Sequence, residues 1–297
     1  MSTKIKTFED LACYWFIVHG ITHKSASSLK RDQGILKNYI FPAFGNHKID
    51  ELAIHEIDEW FSKLKQRSRL AGKSCNDILG LFRKILNDGV RWGFLEKNPA
   101  DRVQKLKVSD RDYTFWSQDE VRQYLGYWQS RDTPDRIVWC TLVALYTGLR
   151  RGELIALKWA SVDDISEMIT IKSSYCRIRK KIVDETKSKK LRHIPICKAL
   201  KKNLEQLKSI SFSSGFVCPF IHPDLYHKEF KRSTRLAKLK LIRFHDLRHT
   251  FASNFLMGGG NIYDLQKILG HSTIQVTERY LHLVPSHLKG KTEVLGF

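Results

Sequence analysis

One stretch of the chain has the composition of β-strands, and helical patterns lie on both sides of it. Residues 168–196, MITIKSSYCRIRKKIVDETKSKKLRHIPI, alternate β-branched residues with polar ones around basic turns. Such alternation is typical of a small antiparallel sheet. Before this stretch and after about residue 198, apolar residues recur mainly at helical spacing. We therefore predict a mostly α fold with one small antiparallel β-sheet.

The first 105 residues predict a small helical bundle. The stretch TFEDLACYWFIVHG opens with a capping box formed by Thr7 and Asp10, and Gly20 is expected to end this helix. Further amphipathic helices are predicted from SASSLKRDQGILKNYIFPAFG, IHEIDEWFSKLKQ and SCNDILGLFRKILNDGVRWGFL.

A polar stretch separates this bundle from the rest of the chain. Residues 97–112, KNPADRVQKLKVSDRD, include Pro99 and indicate an exposed connection. We place a helical domain at 1–105, a linker at 106–112 and an α+β domain at 113–297. The second domain begins with SQDEVRQYL, where Ser117 and Glu120 are spaced as a capping box.

The basic composition indicates a polyanionic partner, with nucleic acid first. Lys and Arg outnumber Asp and Glu by 51 to 31, a formal net charge of +20, and residues 106–297 carry +14 of it. A basic surface attracts polyanions and makes binding salt-sensitive. A membrane could also attract this charge, but no apolar run reaches the roughly 18 residues of a spanning helix. No signal-peptide core is found at the N-terminus, so we predict a cytoplasmic protein without a membrane partner.

The cysteine pattern argues against a zinc knuckle or a disulfide framework. Cysteines stand at positions 13, 75, 140, 176, 197 and 218, with no CxxC pair. We expect reduced and mostly buried thiols.

Two motifs in the first half of the second domain place basic groups near predicted turns. In ALYTGLRRGELIALKW, Gly148 interrupts a helix, so that Arg150 starts the next one and Glu153 shares its face. A pair at this spacing is more often a surface ion pair. In ETKSKKLRHIPI, Lys187 lies at a turn between two predicted strands, where lysines are usually solvated.

Two later motifs bring imidazoles and a phenol. FHDLRHTFASNFL sets His245 and Arg248 one helical turn apart. His249, four residues after His245, could instead form a zinc pair, but a third ligand is not obvious. In GGGNIYDLQKILGHSTIQVTERYLHL, a glycine ends a helix just before His271.

A second short helix in this motif is expected to begin near Ser272, with Ile274 and Val276 inward, and to deliver Tyr280 near its end. Taken alone, such a tyrosine is more often a core residue than a nucleophile.

Together these side chains match the requirements of metal-free phosphoryl transfer on DNA. Guanidinium groups bind the non-bridging oxygens of a phosphodiester, where negative charge develops during attack. A lysine can protonate the departing alkoxide, and a histidine can accept a proton from a phenol. A phenol that attacks phosphorus forms a covalent phosphotyrosine, which retains the bond energy for rejoining. Neither a cofactor nor a metal is required.

The chain resembles the tyrosine recombinases, and among them the phage integrases. The resemblance extends from about residue 7 to the end, and the blocks TGLRRGEL, HDLRHTFAS and LGHSTIQVTERY occur in the family order. By this resemblance Arg150 and Arg248 match the two arginines that bind the scissile phosphate. Tyr280 matches the nucleophile, which cleaves DNA through a 3′-phosphotyrosine intermediate.

The remaining matched positions carry supporting roles in the family. The resemblance implies that Lys187 protonates the 5′ oxygen from a β-hairpin and that His245 assists proton transfer. His271 matches a His/Trp position that braces the phosphate, and Glu153 matches an acidic position that supports the site without reacting.

The resemblance also implies architecture and partners. Residues 1–105 correspond to a core-binding domain and 113–297 to a catalytic domain, closing as a C-shaped clamp around double-stranded DNA at core attachment sites. The tail SHLKGKTEVLGF would pack on a neighbouring protomer in a homo-tetramer that resolves a Holliday junction. Host bending factors and an excisionase are further expected partners in integrating or excising a phage or mobile element. Because many phage integrases carry an additional arm-binding domain, either this chain recombines without arm sites or a longer natural protein exists.

Two other functions fit some of these features. A type IB topoisomerase uses similar residues to relax DNA, and strand exchange between two sites would separate the two activities. A non-catalytic DNA-binding regulatory protein would also be basic, but it has no need for the tyrosine, the lysine and both arginines together.

Overall fold

The computed structural model describes residues 5–67, 69–108, 114–131, 135–184, 191–219, 222 and 225–281. Lys187 and the tail after residue 281 therefore lie outside the described residues. The chain divides into two compact units, Met1–Arg111 and Asp112–Phe297. Each unit has its own hydrophobic core.

The first unit is mostly helical in its described part, as the sequence predicts. Its helices are α1 (Phe8–Trp15), α2 (Ile21–His23), α3 (Ala26–Ile35), α4 (Phe41–Phe44), α5 (Ile54–Arg67) and α6 (Gly72–Arg91), with π-helical turns at Phe16–Gly20 and Leu36–Ile40. The capping box of Thr7 and Asp10 is present. The ring of Phe82 packs against those of Phe8 and Phe44 in the core.

Two details of this unit differ from the sequence prediction. Gly20 does not end the first helix, because its backbone stays right-handed helical and the chain continues to His23. The stretch from residue 97 is not fully exposed, because Ala100 and Val103 are buried. Leu106, the first residue of the predicted linker, exchanges two backbone hydrogen bonds of 2.9 Å with the side chain of Asn76.

The second unit combines helices with two small antiparallel sheets in its described part. Its helices are α7 (Gln118–Gln129), α8 (Arg136–Thr147), α9 (Arg151–Ala156), α10 (Lys198–Ser211), α11 (Tyr226–Leu236), α12 (Asp246–Met257), α13 (Ile262–Leu269) and α14 (Gln275–Glu278). The strands are β1 (Val162–Asp163), β2 (Met168–Ile171), β3 (Ser174–Cys176), β4 (Lys181–Val183) and β5 (Arg192–Pro195). The predicted capping box of Ser117 and Glu120 begins α7.

The strand-rich stretch forms two sheets among the described residues, where the sequence predicts one. Strands β1, β2 and β5 pair in that order, and β3 pairs with β4. In the larger sheet Ile169 lies opposite Ile194, and both side chains are buried. This apolar face belongs to the core that surrounds α8, a helix buried over most of its length. The mostly α prediction is confirmed.

Three of the six cysteines, Cys75, Cys140 and Cys218, are buried, whereas Cys13 and Cys197 are exposed. The expectation of mostly buried thiols therefore holds for only half of them. All six are free thiols. A helix able to cross a bilayer is not found in the described part of the chain.

Candidate active site

Gly148 determines where Arg150 stands. Helix α8 ends when Gly148 adopts a left-handed conformation at φ +62°, and its N–H donates to the carbonyl of Ala144 at 2.9 Å. A Cβ at this position would lie 2.6 Å from the Phe251 ring and 2.8 Å from Leu269, so only glycine fits. The chain then turns, and Arg150 becomes the N-cap residue of α9.

Glu153 is buried beside Arg150. Its carboxylate accepts hydrogen bonds of 2.9 Å from both the backbone N–H and the guanidinium of Arg150. Only 1% of its surface is exposed, so the interpretation as a surface ion pair is wrong. Burial acts to raise the pKa of Glu153, but hydrogen bonds and charges from Arg192 and Arg150 hold it below its ordinary value.

Arg192 is a further residue of the candidate site, one that the motifs in the sequence do not single out. Its guanidinium donates to the two carboxylate oxygens of Glu153 at 3.1 and 2.6 Å, and its Nε donates to the carbonyl of Ile268 at 2.8 Å. One signal could have revealed it. Arg192 lies two residues before the buried Ile194 in β5, so the two side chains share the inward face of the strand. A charged residue in this position is unusual and indicates a buried partner.

Arg248 is buried and held by helix ends. One terminal nitrogen donates to the carbonyl of Gly148 at 2.9 Å, and the other donates to the carbonyl of Leu269 at 2.7 Å. These carbonyls lie where α8 and α13 end, which leaves them without intrahelical donors. Burial, followed by the charge of Arg150, lowers the pKa of Arg248 to about 9.

Gly270 and the end of α13 position His271. The N–H of Gly270 donates to Lys267 and that of His271 to Gln266, each at 3.1 Å, which is the pattern of a Schellman motif. The predicted helix end at Gly270, with φ +66°, is confirmed. The Nδ1 atom of His271 lies 2.9 Å from the Thr277 hydroxyl. Burial, followed by the charges of Arg248, Arg150 and Arg192, lowers the pKa of His271 to about 3.

His245 is the N-cap residue of α12, directly before the buried Asp246. Asp246 is bound by Arg243, whose guanidinium nitrogens lie 2.7 to 3.1 Å from its carboxylate. The His245 side chain is exposed, yet surrounding protein atoms displace part of its water. This desolvation, followed by the charges of Arg248 and Arg150, lowers the pKa of His245.

Tyr280 lies just after the short helix α14 and is buried, with 3% of its surface exposed. Its ring packs against an apolar cluster formed by α12 and α13, whose buried members are Ala252, Leu256, Leu265 and Leu269. The phenol oxygen lies 2.8 Å from Nδ1 of His249. The prediction that Val276 faces inward from α14 is wrong, because Val276 is exposed and Thr277 is the buried residue of this helix.

The predicted residues that the structure describes lie close enough to interact electrostatically. Arg248 is influenced by Arg150 and by Tyr280, and His271 by both arginines. Lys187, the remaining predicted residue, lies outside the described residues. Within the described ranges, no group of three or more His, Cys, Asp and Glu side chains is arranged to hold a metal ion.

Among the residues that the structure describes, the positive charges of the site outnumber the negative ones. The guanidinium groups of Arg150, Arg192 and Arg248 share Glu153 as a counter-charge. Imidazoles in this environment stay neutral near pH 7, because the positive field and burial lower their pKa values. A site of this kind can bind an anion, and the guanidinium groups favour phosphate or carboxylate oxygens.

Two family models match the chain in agreement with this geometry. Residues 114–287 match the phage integrase family, and residues 7–65 match the N-terminal SAM-like domain of phage integrases. The integrase of Escherichia phage 186 is 29% identical over 96% of this chain and 80% of its own length.

Solved structures share the fold. The Tn1549 transposon integrase in complex with transposon right end DNA matches with a TM-score of 0.80 and 18% identity, over 98% of this chain and all of the other. A lambda integrase tetramer bound to a Holliday junction matches with a TM-score of 0.70 and 16% identity, over 90% of this chain and 78% of the other. The family model alone covers more than half of the chain, and the chain therefore belongs to the phage integrase family of site-specific tyrosine recombinases, enzymes that exchange DNA strands.

Proposed function

We propose that Tyr280 cleaves DNA by attacking a backbone phosphate bound between Arg150 and Arg248. The observation that carries this proposal is a phenol buried beside guanidinium charges that, among the described residues, share the Glu153 carboxylate. A phosphodiester would supply the missing negative charge. As the phenol attacks, charge on the non-bridging oxygens increases, and preorganised guanidinium groups stabilise it more strongly in the transition state than in the ground state.

The other side chains support this reaction. His271 braces the phosphate and His245 assists proton transfer, whereas Glu153 holds Arg150 in place without reacting. Lys187 protonates the 5′ oxygen as the bond between phosphorus and that oxygen breaks. The product is a 3′-phosphotyrosine on Tyr280 and a free 5′ hydroxyl, and attack by a 5′ hydroxyl from the partner duplex reverses the chemistry. No metal enters this scheme.

We place this chemistry in a homo-tetramer on double-stranded DNA. The helical unit binds the core attachment site as a core-binding domain, and two rounds of strand exchange pass through a Holliday junction. The lambda integrase tetramer bound to a Holliday junction, which shares the fold, supports this arrangement. The tail after residue 281 would pack on a neighbouring protomer. The biological outcome is integration or excision of a phage or mobile element, with host bending factors and an excisionase as accessory partners.

A nicked suicide substrate tests the proposal. Duplexes come from DNA that flanks the encoding gene, because an integrated element normally ends nearby, and a nick beside the cleaved bond lets the short strand diffuse away. We expect wild-type protein to accumulate a covalent DNA adduct that survives denaturation. Tyr280→Phe should form none, whereas Tyr263→Phe, at a tyrosine with 62% exposure, should react normally. An equally strong adduct with Tyr280→Phe would refute the assignment.

Two further measurements separate the recombinase from its two rivals. Relaxation of supercoiled DNA without joining of two sites would favour a topoisomerase. Tight binding of the flanking duplexes without any covalent species would favour a regulatory DNA-binding protein.

A further inference from the structure

His249 contacts the phenol that the proposed reaction uses. Its Nδ1 atom lies 2.8 Å from the Tyr280 oxygen, within ordinary hydrogen-bond distance, and the two ring centroids are 5.6 Å apart. In the sequence, His249 is a candidate only for a zinc pair, and proton transfer is expected from His245, one helical turn earlier. The His245 ring meets the His249 ring edge to face, with the ring centroids 5.6 Å apart.

The position of His249 in the chain links the phenol to the phosphate site. It directly follows Arg248, whose guanidinium is fixed by the carbonyls of Gly148 and Leu269. Tyr280 is held on its other side by the apolar cluster of α12 and α13. A nitrogen at hydrogen-bond distance from the nucleophile, on the same helix as a phosphate ligand, satisfies the geometry required of a general base.

We infer that His249, as the tautomer with its proton on Nε2, accepts the phenolic proton through Nδ1 when Tyr280 attacks the phosphate. This inference rests on the proposed function. In the step, the phenol O–H bond breaks and its proton passes to Nδ1 while the bond between the phenol oxygen and phosphorus forms. The bond between phosphorus and the 5′ oxygen breaks, and that oxygen leaves with the electron pair and takes a proton from Lys187. On rejoining, the His249 imidazolium returns its proton to the departing phenolate.

The surroundings of His249 keep its ring neutral, so that Nδ1 has a lone pair to accept a proton, and they also make the ring a weaker base than an ordinary histidine. Burial, followed by the nearby His245, lowers the pKa of His249 to about 4, so the ring is neutral near pH 7. Asp246 acts in the opposite direction, whereas Arg243 and Arg248 lower the value further. His271, near the end of α13, also interacts with this ring. When a phosphate offsets the arginine charges, the imidazolium formed during attack becomes less costly.

The test compares cleavage with a joining reaction that needs no proton at the phenol. His249→Asn and His249→Gln retain a polar group but cannot act as a base, and His193→Asn is the matched control at an exposed histidine. With the suicide substrate, both His249 variants should form adduct on the order of 100-fold more slowly. The difference in adduct-formation rate between these variants and wild type should shrink as pH rises, because hydroxide increasingly deprotonates the phenol. His193→Asn should react at the wild-type rate.

The second reaction uses duplexes whose 3′ end carries a p-nitrophenyl phosphate, in protein that also bears Tyr280→Phe. Attack by a 5′ hydroxyl releases p-nitrophenolate, which leaves without a proton. The rate of this joining should be the same with His249 and with His249→Asn, whereas Arg248→Ala should abolish it. Equal losses in both reactions would assign His249 a structural role and overturn the inference, as would an unchanged adduct rate in both variants. If either of these results is found while Tyr280→Phe still abolishes the adduct, only this inference fails. An adduct that forms with Tyr280→Phe refutes the proposed function itself.

Discussion

Arg192 and Glu153 lie 39 positions apart in the chain, and their guanidinium and carboxylate groups meet through two contacts of 3.1 and 2.6 Å. The Nε atom of the same guanidinium binds the carbonyl of Ile268. One side chain of β5 therefore connects α9, which begins after Arg150, to the end of α13, which precedes His271. Arg192 acts as a positioning residue, because its contacts orient groups of the site through Glu153 and the helix end.

Replacing Arg192 with methionine should destabilise the protein strongly. The change leaves the buried Glu153 carboxylate with one guanidinium partner, and breaking a buried pair costs about 3–5 kcal/mol. Lys201→Met is the matched control, because it removes an ion pair to Glu167 in which both side chains are about half exposed, and its effect on the free energy of unfolding should be much smaller. Urea unfolding measures both. A similar loss of unfolding free energy in the two variants would show that the buried pair of Arg192 and Glu153 stabilises the protein no more than an exposed pair does.

Gly148→Ala should lower both stability and adduct formation. A left-handed conformation costs an alanine about 1–2 kcal/mol, and overlap of its Cβ with Phe251 and Leu269 adds about 1–3 kcal/mol. Gly215→Ala isolates the first cost, because Gly215 has φ +74° with nothing within 4 Å of an added Cβ. Thermal unfolding and suicide-substrate cleavage should therefore rank Gly148→Ala below Gly215→Ala. Equal effects would contradict the close packing described around Gly148.

Lys187→Ala should slow cleavage of ordinary DNA but not of a substrate with sulfur at the 5′-bridging position. A thiolate leaves without protonation, so the general acid becomes unnecessary. Adduct formation on the two substrates, measured for wild type and variant, decides the point. Persistence of the defect on the sulfur substrate would remove Lys187 from the general-acid role.

Stability should fall as the pH is lowered from about 6.5 towards 4. His271, with a pKa of about 3, and His249, with a pKa of about 4, remain neutral in the folded chain, whereas unfolding restores ordinary histidines with a pKa near 6.5. The unfolded state therefore binds more protons in this range, and acid favours unfolding. His271→Asn should flatten the slope in urea titrations across these pH values. An unchanged slope would show that His271 titrates normally in the folded protein.

Binding of a phosphodiester should raise the pKa of His271. The charges of Arg248, Arg150 and Arg192 contribute to the low value, and an anion between them offsets part of that field. Nuclear magnetic resonance of the histidine side chains, with and without duplex DNA, would follow the change in Tyr280→Phe protein, which cannot form the covalent adduct. A His271 pKa that stays constant or falls on binding would place the phosphate elsewhere.

The sequence was most informative where glycines end helices. Gly148 and Gly270 correctly located the turns before Arg150 and His271. Helices commonly end at a residue in the left-handed conformation, and glycine is the residue that adopts this conformation most easily. At Gly20 the same prediction was wrong, because the helix continues through this residue. A glycine within a helix also allows close packing, and here a Cβ would lie 3.1 Å from Leu29.

Burial and long-range pairing were harder to predict. The spacing of Arg150 and Glu153 is the same for a surface pair and for a buried one, and the difference comes from Arg192, which only the fold brings near. The inward residue of α14 is Thr277 and not, as predicted from the sequence, Val276, because the Thr277 hydroxyl hydrogen-bonds with His271. His249 lies in the same motif as His245 and Arg248, and only the tertiary fold brings the phenol of Tyr280 to it.

The anchoring of Arg248 by the carbonyls of Gly148 and Leu269 has an evolutionary consequence. Main-chain acceptors are present whatever side chain a codon specifies, so a point mutation at position 269 alters the packing but cannot delete the acceptor atom. The orientation of this arginine thus depends on the path of the backbone and not on the identity of a partner side chain. Relatives could diverge at such a position and still keep the guanidinium aimed in the same direction.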